Sequence, residues 1–225
     1  METRKEISNI AVIISSCLLG EPCRYDGSTK SDPRVQDFAS RHQQAGGVVI
    51  PVCPEVLGGL GTPRPAAELK DGDGRQVLRA WCALPFRLRI RHARHLHTTR
   101  YRHVSRICTN ILCCTSDTPV EFSLRNPIRN TLLAGQARVE RCADGKDVTA
   151  AFIAGARLAA SQGESCGLAI LKARSPSCGV GRTTIDGQTA PGDGVFAALL
   201  KQQGIPSFSN ESSADFFLEL TKGTP

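Results

Sequence analysis

Short apolar runs alternate along the chain with helix-like stretches, and their order predicts the fold. Residues 9–17 (NIAVIISSC) and 47–52 (GVVIPV) are apolar and rich in β-branched residues, as is typical of strands buried on both faces. Between them, Asp32 can cap a helix that starts at Pro33, and Gly46 can end it. This strand–helix–strand order predicts two neighbouring parallel strands.

The same alternation continues in the second half of the chain. Asp147 can cap a helix that Gly163 ends, and a third apolar run follows at residues 167–173. Asp193 can open another helix, which Gly204 closes, and the chain then predicts a short strand at 206–209 and a last helix at 214–220. We therefore expect an α/β fold with a mostly parallel sheet flanked by helices, in one compact domain over residues 1–225.

Segment 79–131 interrupts this pattern. It is rich in Arg, His, Cys and Thr, and it keeps neither a helical nor a strand period. Its four cysteines and four histidines lack the paired spacing of zinc sites, so we interpret it as an irregular surface insertion rather than a zinc module. Long insertions of this kind cost little stability when their ends lie close together.

The positive charge of the chain is concentrated in the same segment. The formal net charge is +7, and residues 79–131 hold ten arginines and two acids, which leaves 18 basic and 19 acidic residues elsewhere. A near-neutral body with one basic segment argues against a general nucleic-acid-binding fold.

The N-terminus and the cysteine content indicate a cellular setting. The sequence METRKEISN is charged, no signal-peptide core follows it, and no apolar run approaches the length of a membrane span. We therefore expect a soluble, cytoplasmic protein. In that reducing compartment, ten cysteines are better interpreted as metal ligands or reactive thiols than as disulfides.

Three cysteines outside the insertion follow predicted strands. Cys17 follows AVIISS, Cys53 follows VVIPV, and Cys178 lies five residues beyond GLAILKA. The carboxyl ends of parallel strands meet at one edge, where open α/β sheets bind ligands. Although a lone buried cysteine is usually a small core residue, three at equivalent junctions favour a shared site.

The ligand type limits what such a site can hold. Thiolates favour zinc, copper(I) or iron–sulfur clusters. Zinc would need a fourth ligand, for which Cys23 is a candidate, whereas His42 is expected to be a solvated surface residue. A [4Fe–4S] cluster on three thiolates is the alternative, and it would leave one iron open as a Lewis acid.

Few other residues can take part in chemistry near these cysteines. Glu55 lies two residues after Cys53 and can either move a proton or cap the following turn. Ser175 and Ser177 can orient a ligand or shape the turn before Cys178, and Lys172 can offset thiolate charge or lie exposed. The scarcity of histidine disfavours Ser-His-Asp and Cys-His mechanisms, and no phosphate loop is present.

Five motifs taken together resemble the bacterial thiouracil desulfidase (TudS-like) family, long catalogued as a domain of unknown function. The resemblance covers residues 8–78 and 132–210 in order and leaves the insertion outside. The motifs are SSCLLGEPCRYDGSTK (15–30), VCPEVLGGLGTPRP (52–65), DGKDVTAAFIAGA (144–156), LKARSPSCGVG (171–181) and GDGVFAALLKQQGI (192–205).

The resemblance implies a compact α/β domain with a [4Fe–4S] cluster held by Cys17, Cys53 and Cys178. It implies a non-redox desulfuration in which the open iron takes the thione sulfur of 2-thiouracil and water replaces that sulfur. Glu55 would then handle protons and Ser175 would help to position a small thiolated nucleobase. We assign Lys172 and Ser177 as candidate substrate-binding residues.

Two other hypotheses remain open at this point. The domain can be a non-catalytic sensor or structural module whose cluster or zinc ion is closed by Cys23. Alternatively, the ten arginines of segment 79–131 can form an RNA-binding arm that brings a desulfurase to thiolated tRNA, although the segment has no signature of a nucleic-acid-binding fold.

Overall fold

A parallel four-stranded sheet forms the centre of the protein. The computed structural model describes residues 10–83, 135–163 and 165–212. In the order in which they pair, the strands are β2 (Val48–Val52), β1 (Ala11–Ser15), β5 (Cys166–Leu171) and β8 (Ser207–Ser209). All three pairings in this sheet are parallel. The sheet confirms the expected α/β fold and its β1–β2 pair.

Helices cover both faces of this sheet because successive residues of a strand point to opposite faces. On one face, Val12 and Ile14 of β1 join a buried cluster with Val35 and Phe38 of helix α1 (Pro33–Gln44). On the other face, Ile13 joins a larger cluster with residues of helices α4 (Thr149–Gln162) and α5 (Val195–Gln202). Burial on both faces explains why β1 reads as a continuous apolar run.

Helix α1 begins as predicted. The carboxylate of Asp32 accepts a hydrogen bond from the backbone N–H of Arg34 at 3.1 Å, and Pro33 is the first helical residue. The helix ends at Gln44, and Gly46 follows with a φ of +88°, in the left-handed region that favours glycine.

The expectation that His42 is a solvated surface residue is wrong. His42 lies on the buried face of α1, is 1% exposed, stacks on Phe38 and places Nε2 2.8 Å from the carbonyl oxygen of Ile10. Because its polar neighbours in sequence point the other way, the helix is amphipathic with His42 on its apolar side. Gly47 makes room for the ring, since an added Cβ would lie 2.2 Å from Nε2.

The helices of the second half form where the sequence places them, but one predicted cap is wrong. Asp147 does accept a hydrogen bond from the N–H of Thr149 at 2.8 Å, and Gly163 ends α4. Asp193 does not cap α5, because it is fully buried and accepts hydrogen bonds from the backbone of Gly181 and from Lys201 Nζ. A buried carboxylate needs such partners more than a helix end does.

A second, mixed sheet was not predicted from the sequence. Its strands, in the order in which they pair, are β4 (Arg138–Arg141), β3 (Ala67–Lys70), β6 (Arg182–Ile185) and β7 (Gln188–Pro191). Only the β3–β6 pairing is parallel. These four-residue strands are short and only partly buried, so they lack a clear apolar period.

Helix α3 (Gly74–Ala83) differs from the expectation for segment 79–131. The first five residues of that segment are helical, and Trp81 is buried in the main core. Residues 84–134, which hold the rest of the predicted insertion, and the predicted helix at 214–220 lie outside the described residues. No helix in the described part of the chain is long and apolar enough to cross a membrane.

Candidate metal centre

The three predicted cysteines follow strands of the parallel sheet. Cys17 lies in a 3-10 turn (Ser16–Leu19) directly after β1, rather than on the strand itself. Cys53 connects β2 to helix α2 (Pro54–Leu57), and Cys178 lies in the turn beyond β5. Because β2 and β5 flank β1, these turns share the carboxyl edge of the sheet.

The side chains of this edge meet, and a fourth thiol joins them. The thiol of Cys23 is within hydrogen-bonding reach of both Cys17 and Cys53. Cys178 is close enough to feel the charges of Cys53 and Cys23. The four thiols therefore form one group, drawn from positions up to 161 residues apart along the chain.

The surroundings keep these thiols protonated in the absence of a positive centre. The hydrogen bond to Cys17, supported by burial, raises the pKa of the Cys23 thiol to about 11. The hydrogen bond to Cys23 and then burial raise the pKa of Cys53 far above its usual range, and burial does the same for Cys178. Thiolates in this group would need a cation or a metal cluster to stabilise them.

Ser15 connects Cys178 to the end of β5, a link that sequence reasoning missed. Its buried hydroxyl donates a hydrogen bond to the sulfur of Cys178, which acts to lower the pKa of that thiol against the effect of burial. The same oxygen accepts a hydrogen bond from the backbone N–H of Lys172 at 3.0 Å. Ser15 and Cys178 are 163 residues apart, so no local pattern announces the contact.

The turn that carries Cys178 is fixed by Ser175 and by helix α5. The Ser175 Oγ atom accepts hydrogen bonds from the backbone N–H groups of Ser177 and Cys178, each at 3.2 Å. The first N–H groups of α5 donate to carbonyl oxygens of the same turn, including Phe196 to Ser177 at 2.8 Å. Gly194 permits this approach, because an added Cβ would lie 2.4 Å from the Ser177 carbonyl group.

Glu55 lies beside the thiols, in an ion pair that the sequence did not reveal. Arg64 Nη2 is 2.8 Å from Glu55 Oε2, and both side chains are largely buried. The charge of Glu55 acts on both Cys53 and Cys178. The carboxylate is thus within electrostatic reach of the thiol group and is held by an arginine 9 residues further along the chain.

Comparisons with known proteins agree with this arrangement. The sequence model described as 2-thiouracil desulfurase matches residues 12–112 and 82–212. The chain belongs to the 2-thiouracil desulfurase family. Among its relatives, the uncharacterized protein YbbK of Bacillus subtilis (strain 168) is 28% identical over 209 residues, covering 91% of this chain and 98% of YbbK.

A solved structure of similar fold carries a more specific description. It is a [4Fe–4S]-dependent thiouracil desulfidase, TudS (DUF523Vcz), with 26% sequence identity and a TM-score of 0.55. The similarity covers 95% of this chain and 99% of that protein. The family assignment from the sequence motifs is therefore confirmed.

The remaining candidate residues of this 2-thiouracil desulfurase family member lie on the segment after β5. Lys172 is half-buried, donates from Nζ to the carbonyl oxygen of Ala173 at 2.8 Å, and has its pKa lowered by burial. Ser177 is 1% exposed, and its Oγ has no hydrogen-bond partner among the described residues. A buried hydroxyl without a partner is costly, which makes Ser177 a candidate for contact with a bound group.

A cavity of about 480 Å³ lies next to this segment. Its described lining consists of Ala173, Arg174, Val180, Arg182, Thr189, Ser209, Glu211 and Ser212. None of the four thiols and neither Glu55 nor Ser177 lines it. The contacts among the thiols, rather than this open cleft, therefore define the candidate centre.

The donor set fits an iron–sulfur cluster of the family. It consists of thiols, the soft ligands that such clusters use, and His42 is occupied in the core by its contact with Ile10. Within the described ranges, no three His, Cys, Asp or Glu side chains are grouped as a site for a single metal ion. A cluster is larger than one ion and holds its thiolates further apart, so this spacing does not conflict with one.

Proposed function

We propose that this 2-thiouracil desulfurase family member removes sulfur from a small thiolated pyrimidine of the 2-thiouracil type, without net oxidation or reduction. In the overall reaction, the C=S group and one water give C=O and hydrogen sulfide. The observation that carries the proposal is the meeting of strand-end thiols at one sheet edge, beside the paired carboxylate of Glu55. The description of TudS as a [4Fe–4S]-dependent thiouracil desulfidase supports it.

Cys17, Cys53 and Cys178 would hold the [4Fe–4S] cluster as thiolates. When bound, the cluster supplies an iron that the protein does not ligate, a soft Lewis acid for the thione sulfur. Burial makes the three positions poor places for free thiolates but good places for metal-bound ones, since the cluster provides the missing positive charge. Ser15 would donate a hydrogen bond to the Cys178 ligand and keep it oriented.

Glu55 would serve as the base that takes a proton from the attacking water. Its Oε2 atom is engaged by Arg64, and no described residue donates a hydrogen bond to its Oε1 atom. The pairing holds the carboxylate in one place while leaving one oxygen for the proton. The proton can then be passed to the departing sulfide, which closes the balance of the reaction.

Ser175, Ser177 and Lys172 would position the substrate. The Ser175 oxygen accepts two backbone hydrogen bonds, and its own O–H remains able to donate to a substrate or to water. The unpaired hydroxyl of Ser177 is the second polar group available on this turn. Lys172 lies close enough to Cys17 for their charges to interact, so its ammonium can offset negative charge at this edge.

The direct test is anaerobic purification, iron and acid-labile sulfide assays, and incubation with 2-thiouracil while released sulfide and uracil are measured. About four irons per chain with sulfide release would support the proposal. A protein that carries the cluster but leaves every tested thiopyrimidine unchanged would contradict it.

A second candidate function follows from the fourth thiol. If Cys23 completes the ligand set, the centre is closed and the protein is a sensor or structural domain rather than an enzyme. Cys23→Ser would then abolish metal binding. In the desulfidase proposal, Cys23→Ser retains the cluster, because the three strand-end thiols suffice. The RNA-binding arm expected from segment 79–131 falls mostly on residues outside the description and is not proposed further.

A further inference from the structure

Arg64 joins three segments at the candidate centre. Its side chain is 7% exposed and pairs with Glu55. From Nη1 it also donates to the carbonyl oxygen of Cys23 at 3.1 Å and to the carbonyl oxygen of Gly61 at 3.1 Å. Its backbone N–H donates to the carbonyl oxygen of Tyr25 at 2.7 Å. One buried arginine therefore ties the turn after Cys53 to the loop that carries Cys23.

The contact with Glu55 restricts where the carboxylate can lie. Both Nε and Nη2 of Arg64 approach the same oxygen, Oε2, at 2.9 Å and 2.8 Å. Two donors on one oxygen fix the side chain while Oε1 stays available. A charge-assisted contact of this kind, in a largely buried setting, is stronger than an exposed ion pair.

The contact with the Cys23 carbonyl becomes more important once a metal group is present. In the protonated state, the Cys53 thiol approaches the same carbonyl oxygen, with sulfur and oxygen 3.6 Å apart. A thiolate ligand has no proton to donate, so Cys53 would lose this hydrogen bond on metal binding. Arg64 would then remain as the donor that holds the Cys23 loop against the centre.

We propose that Arg64 is a positioning residue that fixes the Glu55 carboxylate and the Cys23 loop in one arrangement around the site. This inference rests on the proposed function, since it assigns Arg64 the task of holding the base of that reaction. Arg64 itself does not need to touch the substrate.

The planar guanidinium explains why an arginine is needed here. It reaches Glu55 from one side with Nε and Nη2 and the two carbonyl oxygens from the other with Nη1. A lysine ammonium is a single point with three donors, so it cannot span these partners at once. Arg64→Lys therefore keeps the buried charge but loses the tie, which makes it the informative variant.

The first experiment is a double-mutant cycle on the cluster-loaded protein, with Arg64→Lys, Glu55→Gln and the double variant. We expect Arg64→Lys to lower kcat by roughly 10- to 100-fold, because small misplacements of catalytic groups have effects of this size. KM should stay within about threefold. In the Glu55→Gln background, the same change should lower kcat less than about twofold, because Arg64 acts through Glu55.

A second measurement does not depend on turnover. Hydrogen–deuterium exchange of the Arg64→Lys holoprotein should be faster in residues 23–28 and 53–58 than in the parent, at equal iron content. Arg41→Lys is the matched control, because Arg41 pairs with Asp37 on the exposed face of α1 and should change neither exchange nor kcat. Faster exchange confined to these two segments would show that Arg64 holds them.

Two outcomes would overturn the inference. One is an unchanged exchange rate in both segments of Arg64→Lys, and the other is a loss of kcat that is as large in the Glu55→Gln background as in the parent. Failure of the proposed function looks different, because the unsubstituted holoprotein would then release no sulfide, while the exchange measurement would still report on the tie.

Discussion

A methyl group added at Gly155 would lie 1.8 Å from the carbonyl oxygen of Pro54. The reverse contact is as tight, since a Cβ at Gly58 would lie 2.2 Å from the carbonyl oxygen of Ala151. Helices α2 and α4 therefore touch through their backbones. Because α2 starts directly after Cys53 and contains Glu55, this contact sets how the base and one ligand sit on the core.

Gly155→Ala should therefore destabilise the protein, although alanine is normally the better helix former by about 1 kcal/mol. We expect a loss of roughly 1–3 kcal/mol in the free energy of unfolding, as for other overpacked sites, together with weaker retention of iron. Urea unfolding under anaerobic conditions measures the first, and an iron assay measures the second. Gly61→Ala is the control, since nothing lies within 4 Å of its added Cβ. Equal stability of the two variants would contradict the contact.

Ser175→Ala should weaken the turn that carries Cys178. The hydroxyl oxygen accepts two backbone hydrogen bonds, so its removal should cost about 1 kcal/mol in the free energy of unfolding. Ser177→Ala should cost little or even stabilise, because it removes a buried hydroxyl without a described partner. Thermal unfolding of both variants checks the order, and the reverse order would be inconsistent with these contacts.

The same pair of variants separates stability from substrate binding. If Ser177 contacts the substrate as proposed, Ser177→Ala should raise KM severalfold while stability and iron content stay unchanged. An unaltered KM would remove Ser177 from the substrate site.

Serine substitutions at Cys17, Cys53 and Cys178 should each abolish stable cluster binding. Each removes one thiolate from a set of three, and serine is a poor ligand for soft metals. The visible absorption and the iron content of the anaerobically purified variants report the result. Cys142→Ser is the control, because Cys142 is exposed and takes no part in the thiol group. Full iron content in any of the three variants would exclude that cysteine as a ligand.

Asp32→Ala should destabilise the edge of the sheet as well as α1. Asp32 caps the helix and accepts a hydrogen bond from Asn210 Nδ2 at 3.0 Å, and Asn210 Oδ1 accepts one from the N–H of Ala173 at 2.8 Å. Loss of the cap alone should cost about 1 kcal/mol in the free energy of unfolding. Asp37→Ala, which removes only an exposed ion pair, should cost less.

Local sequence signals predicted the parts of the fold that local physics controls. The buried run in β1, the Asp32 cap and the end of α4 at Gly163 each follow from the chemistry of neighbouring residues. The same reasoning failed for His42, because the helix face that it shares with Phe38 is buried only by tertiary packing. It also failed for Asp193, which the fold uses as a buried acceptor for Lys201.

For the candidate centre, the sequence determined the kinds of group and their places at strand ends. Cysteines after apolar runs had to reach one edge once the strands were parallel, and the motifs around them were specific enough to indicate the family. Tertiary structure alone decided which groups touch: Cys23 with Cys53, Ser15 with Cys178, and Arg64 with Glu55 and the Cys23 carbonyl. The physical reason is that strand order and turn geometry bring together residues that are distant along the chain, whereas sequence periodicity reports only which face of an element is buried.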